Sequence, residues 1–163
     1  MAIPYEGILV ELSKQNARYL VVGAVAMNAH GYFRSTYDLD IMPDLSEKNL
    51  DKFLNVLKQK KYKPRVPVNP EELKDSKKRE EWYNEKNMGV FSFWRDNDTS
   101  EIDLLIYHPI DFEKAYERKS IVHLQGINIP VASVKDLIEM KKISGRDKDL
   151  LDIKTLETML KNG

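Results

Sequence analysis

Residues 19–44 read YLVVGAVAMNAHGYFRSTYDLDIMPD, and this stretch decides the fold. Tyr19-Leu20-Val21-Val22 is a short apolar run of strand type. Gly23-Ala24 marks a turn, Val25 to His30 a short apolar helix, and Gly31 its end. A second strand-like segment follows and carries Arg34-Ser35-Thr36-Tyr37-Asp38-Leu39-Asp40. Side chains alternate faces along a strand. Asp38 and Asp40 therefore share one face, while Leu39 and Ile41 share the other and can be buried.

Two carboxylates on one face need a reason to be there. Unit charges about 4 Å apart repel by roughly 4 kcal/mol at an effective dielectric of about 20. Hard oxygen ligands of this kind suit Mg²⁺. The glycine turn ahead of a helix adds free backbone N–H groups, which favour phosphate. Together the two features suggest metal-assisted phosphoryl or nucleotidyl transfer. An Asp-x-Asp standing alone would instead read as a solvated strand edge.

A third acid strengthens the pattern. Asp103 interrupts the apolar run Glu101-Ile102-Asp103-Leu104-Leu105-Ile106-Tyr107. A lone buried carboxylate is costly. Placing Asp103 beside Asp38 and Asp40 around a cation removes that cost, whereas a carboxylate that only caps a hairpin would be exposed.

The order apolar strand, Gly23-Ala24, short helix, Asp38-Leu39-Asp40, then Asp103 on a later strand resembles the nucleotidyltransferases of the DNA polymerase beta superfamily. The run Arg34 to Asp40 and the tail Ser144-Gly145-Arg146-Asp147-Lys148-Asp149-Leu150-Leu151-Asp152-Ile153 are similar to its small bacterial and abortive-infection-type branch. The resemblance spans roughly Leu20 to Leu156, with the middle unmatched. It implies an α/β (α+β) nucleotidyltransferase fold, a mixed sheet with packed helices and a C-terminal helical pair. It implies one domain over residues 1–163, its helical portion starting near residue 133. It further implies that Asp38, Asp40 and Asp103 bind Mg²⁺ or Mn²⁺ and that Gly23 and Ala24 offer backbone N–H groups to phosphates. Arg34 and Thr36 would also contact the nucleotide. Lys141, Lys142, Arg146 and Lys148 lie close to the break between the last two helices, and one of them, Lys148 first and Lys142 second, would hold a phosphate; without the resemblance the cluster reads equally as a solvated helix terminus. The reaction implied moves NMP from an NTP to an acceptor, which could be RNA, protein or a small molecule, with pyrophosphate leaving. Ala24 stands where most active relatives carry Gly or Ser. A catalytically weakened NTP- and metal-binding module is therefore one alternative, and a toxin-like enzyme modifying tRNA or protein is another.

Composition bounds these readings. The chain has 163 residues, enough to bury a core without cross-links, and no cysteine, which excludes disulfides and thiolate chemistry. Lys plus Arg and Asp plus Glu are 26 each, which argues against a general nucleic-acid coat but leaves room for a local basic patch. The sequence shows neither a signal-peptide pattern nor an apolar run of about 20 residues, so a cytoplasmic protein without a membrane span is expected.

Around the central stretch the pattern predicts further elements. Pro4 to Asn16 reads as a helix with Ile8, Leu9 and Leu12 inward. Asp44-Leu45-Ser46-Glu47 resembles a capping box, with Asp44 as N-cap of a helix to about Lys60 burying Leu50, Phe53, Leu54 and Leu57. Lys58, Lys60 and Lys61 complement the dipole at its end, with a nucleic-acid contact as the alternative. Pro64, Pro67 and Pro70 mark a loop or irregular edge strand. Glu71 to Lys86 reads as a charged surface helix anchored by Leu73, Trp82 and Tyr83, whose aromatic residues could otherwise stack a base. Met88–Arg95 and Glu101–Tyr107 form a hairpin about Asp96-Asn97-Asp98-Thr99. Asp111–Arg118 is a short helix, and Ser120–Leu124 and Ile127–Val131 flank a turn at Gln125-Gly126. Ser133 caps a helix ended by Gly145. A last helix, from about Arg146 to Lys161, buries Leu150, Ile153, Leu156, Met159 and Leu160. His30, His108 and His123 lack metal-ligand spacing and are read as structural or exposed.

Overall fold

The apolar run at Tyr19–Val22 becomes β1, a central strand buried along its whole length. A computed structural model describes residues 5–162, so Pro4 of the first expected helix lies outside the described residues. In chain order the elements are α1 (Glu6–Lys14), β1, α2 (Gly23–Ala29), β2 (Leu39–Pro43), α3 (Glu47–Gln59), β3 (Lys63–Pro64) and a 3₁₀ turn (Pro70–Lys74). Then follow α4 (Ser76–Lys86), β4 (Val90–Trp94), β5 (Ile102–Leu105), α5 (Phe112–Glu117), β6 (Ser120–Leu124), β7 (Ile127–Val131), α6 (Val134–Ser144) and α7 (Asp147–Asn162). The expected α/β class and C-terminal helical pair are present. The described strands form one mixed sheet in the order β3-β4-β5-β2-β1-β7-β6.

Register sorts the side chains into two faces. β1 runs antiparallel to β2 with Val22 opposite Asp40, and β2 runs parallel to β5 with Asp40 beside Asp103. β4 and β5 form the expected hairpin, with Ser92 opposite Asp103. One face therefore carries Tyr19, Val21, Leu39, Ile41, Ile102, Leu104, Phe91 and Phe93, all buried. Helices cover it: Tyr19 meets Phe53 of α3 edge-to-face at 5.8 Å, and Trp82 of α4 meets Phe91 at 5.8 Å. The other face carries Val22, Asp40, Asp103, Ser92 and Trp94, and the site is built there.

Several boundaries differ from the sequence reading for local reasons. β2 starts at Leu39, not near Arg34. Upstream, the Asn28 side chain donates to the Arg34 carbonyl and accepts its N–H, at 3.1 and 2.7 Å. The Thr36 hydroxyl likewise accepts the Asp38 N–H at 3.3 Å. Such local bonds compete with a strand ladder. The N-cap of α3 is Ser46, which accepts the Asn49 N–H, while Asp44 accepts the Ser46 N–H one step earlier. The charged segment 71–86 is broken at Asp75, whose side chain caps α4 by accepting from Lys77 and Lys78. α7 packs Ile153, Leu156 and Met159 of its expected stripe on the core, but it buries Asp149 and Asp152 and leaves Leu150 59 % and Leu160 50 % exposed. Those two acids can turn inward because cations wait there.

Candidate active site

β2 and β5 set Asp40 and Asp103 side by side, and the end of β1 brings Gly23 against them. Gly23 opens α2 with φ +66°, and a Cβ there would stand 2.9 Å from Asp40 Cγ and even closer to Oδ2. Only a glycine leaves room for that carboxylate. The turn thus puts main chain directly against an acid, and the first N–H groups of α2 have no intrahelical partner.

The acids are electrostatically loaded. Burial pushes the Asp40 carboxyl up, and Asp103 and Asp38 push it further, to about 7, with Lys141 acting the other way. Asp103 is also raised, first by burial and then by the field of Asp38, while a hydrogen bond from Ser92 opposes the shift. Asp103 Oδ1 is buried and has no hydrogen-bond partner. Asp38 sits just ahead of β2, where its Oδ1 accepts the Glu101 N–H at 3.2 Å.

A cleft of about 660 Å³ opens over this pair. Of the residues singled out in the sequence, Gly23, Ala24, Arg34, Asp40, Asp103 and Lys148 line it. Asp38, expected on the same face as Asp40, precedes β2 and does not line the cleft, but its field reaches both acids. Thr36 does not line the cleft, because its hydroxyl is engaged in the turn at Asp38. Lys142 lies outside as well, on the side of α6 where it faces Glu157 at 3.9 Å.

Lys141, a member of the same basic cluster that the sequence ranked below Lys148 and Lys142, faces the cleft instead. It bridges Asp149 and Asp152 of α7, at 3.5 and 3.0 Å. Arg146 pairs with Asp149 and Arg34 with Asp152. Burial raises the Asp149 carboxyl, but hydrogen bonds from Arg146 and Ser144 and the field of Lys141 outweigh it and hold it at about 2. The spacing Arg146-x-x-Asp149-x-x-Asp152 puts these three groups on one helical face, but it does not point to Lys141 or Arg34, which reach them from elsewhere in the chain. Breaking a buried ion pair by removing one partner costs about 3–5 kcal/mol. Arg34 and Arg146 share the load here. Lys141→Met is therefore expected to cost about 2–3 kcal/mol, read as a fall in melting temperature of about 5–10 °C. Asp152→Asn in the same background should recover part of that loss.

Across the cleft, Tyr83 and Tyr107 form a parallel stack with centroids 3.8 Å apart and rings 3° from coplanar. None of the three histidines lines the cleft. His30 Nε2 meets the Ala132 carbonyl at 2.8 Å, and His123 Nδ1 meets Asn128 Oδ1 at 2.6 Å. Burial pushes His108 down to about 4.

The acids offer only oxygen donors, which is the chemistry of Mg²⁺ or Mn²⁺ sites. Among the described residues no three His, Cys, Asp or Glu side chains close on one point as a finished metal cage. Mg²⁺ does not require one, because it keeps waters and takes one or two carboxylates plus substrate phosphates. The unpartnered Asp103 Oδ1 fits that demand.

Comparison with solved structures agrees with this architecture. The fold matches TM1012 from Thermotoga maritima, assigned as a nucleotidyltransferase, at 15 % identity over 96 % of this chain and 89 % of that one, with a TM-score of 0.56. It matches the lincosamide antibiotic adenylyltransferase LnuA in its lincomycin-bound form at 16 % identity over 93 % of both chains, with a TM-score of 0.59. It also matches ANT(2")-Ia in complex with adenylyl-2"-tobramycin at 11 % identity over 94 % of this chain and 86 % of that one, with a TM-score of 0.56. The fold is thus that of the nucleotidyltransferases. Neither a protein-family profile nor any curated protein sequence matches the chain. Among the described residues no helix is long and apolar enough to cross a membrane.

Proposed function

We propose that this chain is a metal-dependent nucleotidyltransferase that moves NMP from an NTP to an acceptor hydroxyl and releases pyrophosphate. The observation that carries the reading is the pair Asp40 and Asp103 on adjacent parallel strands, abutting a glycine with no room for a side chain. Asp40 and Asp103, together with Asp38, would hold Mg²⁺ or Mn²⁺. When bound, the metal supplies positive charge to the phosphates and to the attacking oxygen.

The chain's own groups supply the rest. Backbone N–H groups of Gly23 and Ala24 face the phosphates, and the missing hydroxyl at Ala24 leaves that contact to the main chain alone. Arg34, Lys141, Arg146 and Lys148 line the cleft with positive charge that suits a triphosphate and the leaving pyrophosphate. Asp103, with its carboxyl raised and one oxygen unpartnered, takes the proton from the acceptor hydroxyl. The bond formed joins the acceptor oxygen to the α-phosphorus. The bond broken joins that phosphorus to the oxygen bridging it to the β-phosphate.

Calorimetry with Mn²⁺ or Mg²⁺ and a non-hydrolysable NTP should show binding that needs the metal, and a screen of NTPs and acceptors should release pyrophosphate. Equal nucleotide binding in excess chelator would overturn the metal assignment. Metal-dependent binding with no pyrophosphate from any NTP or acceptor would make the chain a binding module, as Ala24 allows.

A further inference from the structure

From the acid pair the open face of the sheet runs two ways. Toward the end of β5 it leads along Leu105 and Tyr107 into the cleft under α6. The other way it crosses β4 to β3 and leaves the cleft. There Ser92 sits opposite Asp103, Trp94 follows two residues on along β4, and Lys63 of β3 sits opposite Trp94. All share the face of the acids. Two residues of strand span about 7 Å and adjacent strands lie about 4.8 Å apart, so Trp94 stands about 8 Å from Asp103. That is on the order of one nucleotide step.

The chemistry of this strip is distinctive. Lys63 Nζ and Arg65 Cζ lie over the Trp94 ring at 5.3 and 5.4 Å, and both side chains are more than half exposed, at 55 % and 53 %. Next to them Lys58, Lys60, Lys61, Lys63 and Arg95 line a second concavity, with Arg95 over the Tyr62 ring at 4.8 Å. Three carboxylates, Asp96, Asp98 and Glu101, pair with Lys63, Arg95 and Arg65. The surplus of three positive charges comes from Lys58, Lys60 and Lys61, so the concavity that adjoins the Trp94 strip is positive in a chain whose charges balance overall. The dipole of α3 accounts for Lys58, Lys60 and Lys61 at its end, but not for Lys63 and Arg65 on the sheet edge.

The geometry points to this strip as the docking surface for the acceptor, and to the acceptor as the end of a single-stranded nucleic acid. The inference rests on the nucleotidyl-transfer reading above. The terminal hydroxyl lies at Asp40 and Asp103, a base stacks on Trp94, and phosphates follow Lys63 and Arg65 to the sheet edge, where Lys63 also lines the lysine concavity. An aromatic ring interleaved with cations on an open sheet face binds single strands without reading their sequence. A base that takes the ring exchanges an exposed cation–π contact for stacking and leaves the cation for a phosphate. A rigid duplex buries its base faces and cannot make that exchange.

The test is equilibrium binding of end-labelled twelve-nucleotide single-stranded RNA, single-stranded DNA and duplex RNA to the full chain across a salt series, in chelator. Single strands should bind more tightly than duplex, and affinity should fall as salt rises. Trp94→Leu should weaken single-strand binding about tenfold, and Trp94→Phe should restore most of it. Lys63→Ala with Arg65→Ala should flatten the salt dependence by about two contacts. Circular dichroism melts establish that each variant is folded. The RNA and DNA arms decide which nucleic acid is the acceptor. Equal affinity for duplex and single strand, or no change in Trp94→Leu, would overturn the proposal. So would metal-dependent pyrophosphate release on small molecules by a chain that binds no single strand at low salt. Single-strand binding that depends on Trp94 but yields no label transfer with any NTP would leave the surface standing and remove the catalytic reading instead.

Discussion

Asp40→Asn is expected to abolish nucleotidyl transfer while raising the melting temperature of the metal-free protein at pH 8 by about 5 °C. The catalytic loss should be at least about a thousandfold, the scale on which one preorganised electrostatic contact to a transition state matters. The stabilisation follows from the raised carboxyl. In the folded protein Asp40 holds its proton up to about 7, against an ordinary value of 3.8. Below 3.8 the folded and unfolded chains both carry that proton. Between there and about 7 the folded chain is protonated and the unfolded chain is not, so stability falls steadily as pH rises. Above 7 the full penalty is in place. Three pH units correspond to about 4 kcal/mol at most, and readjustment of Asp103 brings the expected value to about 2 kcal/mol. Asparagine keeps the shape, can donate to Asp103 and carries no charge.

The difference between wild type and Asp40→Asn should therefore be small near pH 4, open through the window up to about 7, and stay level beyond it. A divalent cation should reverse the order. It favours the ionised acids, so Mg²⁺ should raise the wild-type melting temperature at pH 8 and have much less effect on the variant. Thermal melts at pH 4, 6 and 8, with chelator and with Mg²⁺, measure all of this. If Asp40→Asn melts well below wild type in chelator at pH 8, Asp40 is a structural acceptor and the repulsion argument fails for it.

What the sequence disclosed and what it hid divide along physical lines. Strand alternation around Leu39 and Ile41 places Asp40 opposite the buried face, and that follows from period two and burial alone. The place of Asp103 beside it was what the family resemblance implied, and the parallel pairing of β2 with β5 is seen only in the structure. The ends of elements were less legible, because side chains decide them. Asn28 and Thr36 hold the chain off the sheet until Leu39, and Asp75 divides what reads as one charged helix. The phase of α7 was hidden for a different reason. Leu150, Ile153, Leu156, Met159 and Leu160 form a plausible stripe, and only three-dimensional proximity reveals that Lys141, Arg146 and Arg34 neutralise Asp149 and Asp152. That network explains why Lys141, not Lys142, faces the cleft. The Trp94 strip was beyond reach for a related reason: β3 is two residues long and rich in proline nearby, so nothing local announces that Lys63 lies across from Trp94.

Gly23→Ala should be the most damaging single-methyl change in the chain, costing about 2–4 kcal/mol and lowering activity at least a hundredfold. Two causes add. At φ +66° an alanine occupies the left-handed region, at a cost of about 1 kcal/mol. The new Cβ also meets the Asp40 carboxylate 2.9 Å from Cγ, on a short side chain rooted in a central strand with little freedom to withdraw. Either the carboxylate rotates off the cleft, which removes its role, or β1 and β2 separate, which loosens the core. A double-mutant cycle tells the two causes apart. In Asp40→Ala the carboxylate is gone and only Cβ remains, 3.1 Å from the added methyl, so Gly23→Ala should then cost about 1 kcal/mol, the backbone share alone. Urea denaturation of wild type, both single variants and the double variant supplies the cycle. A coupling energy near zero would mean that Gly23 is required only for its backbone conformation, and that the close approach to Asp40 exerts no force.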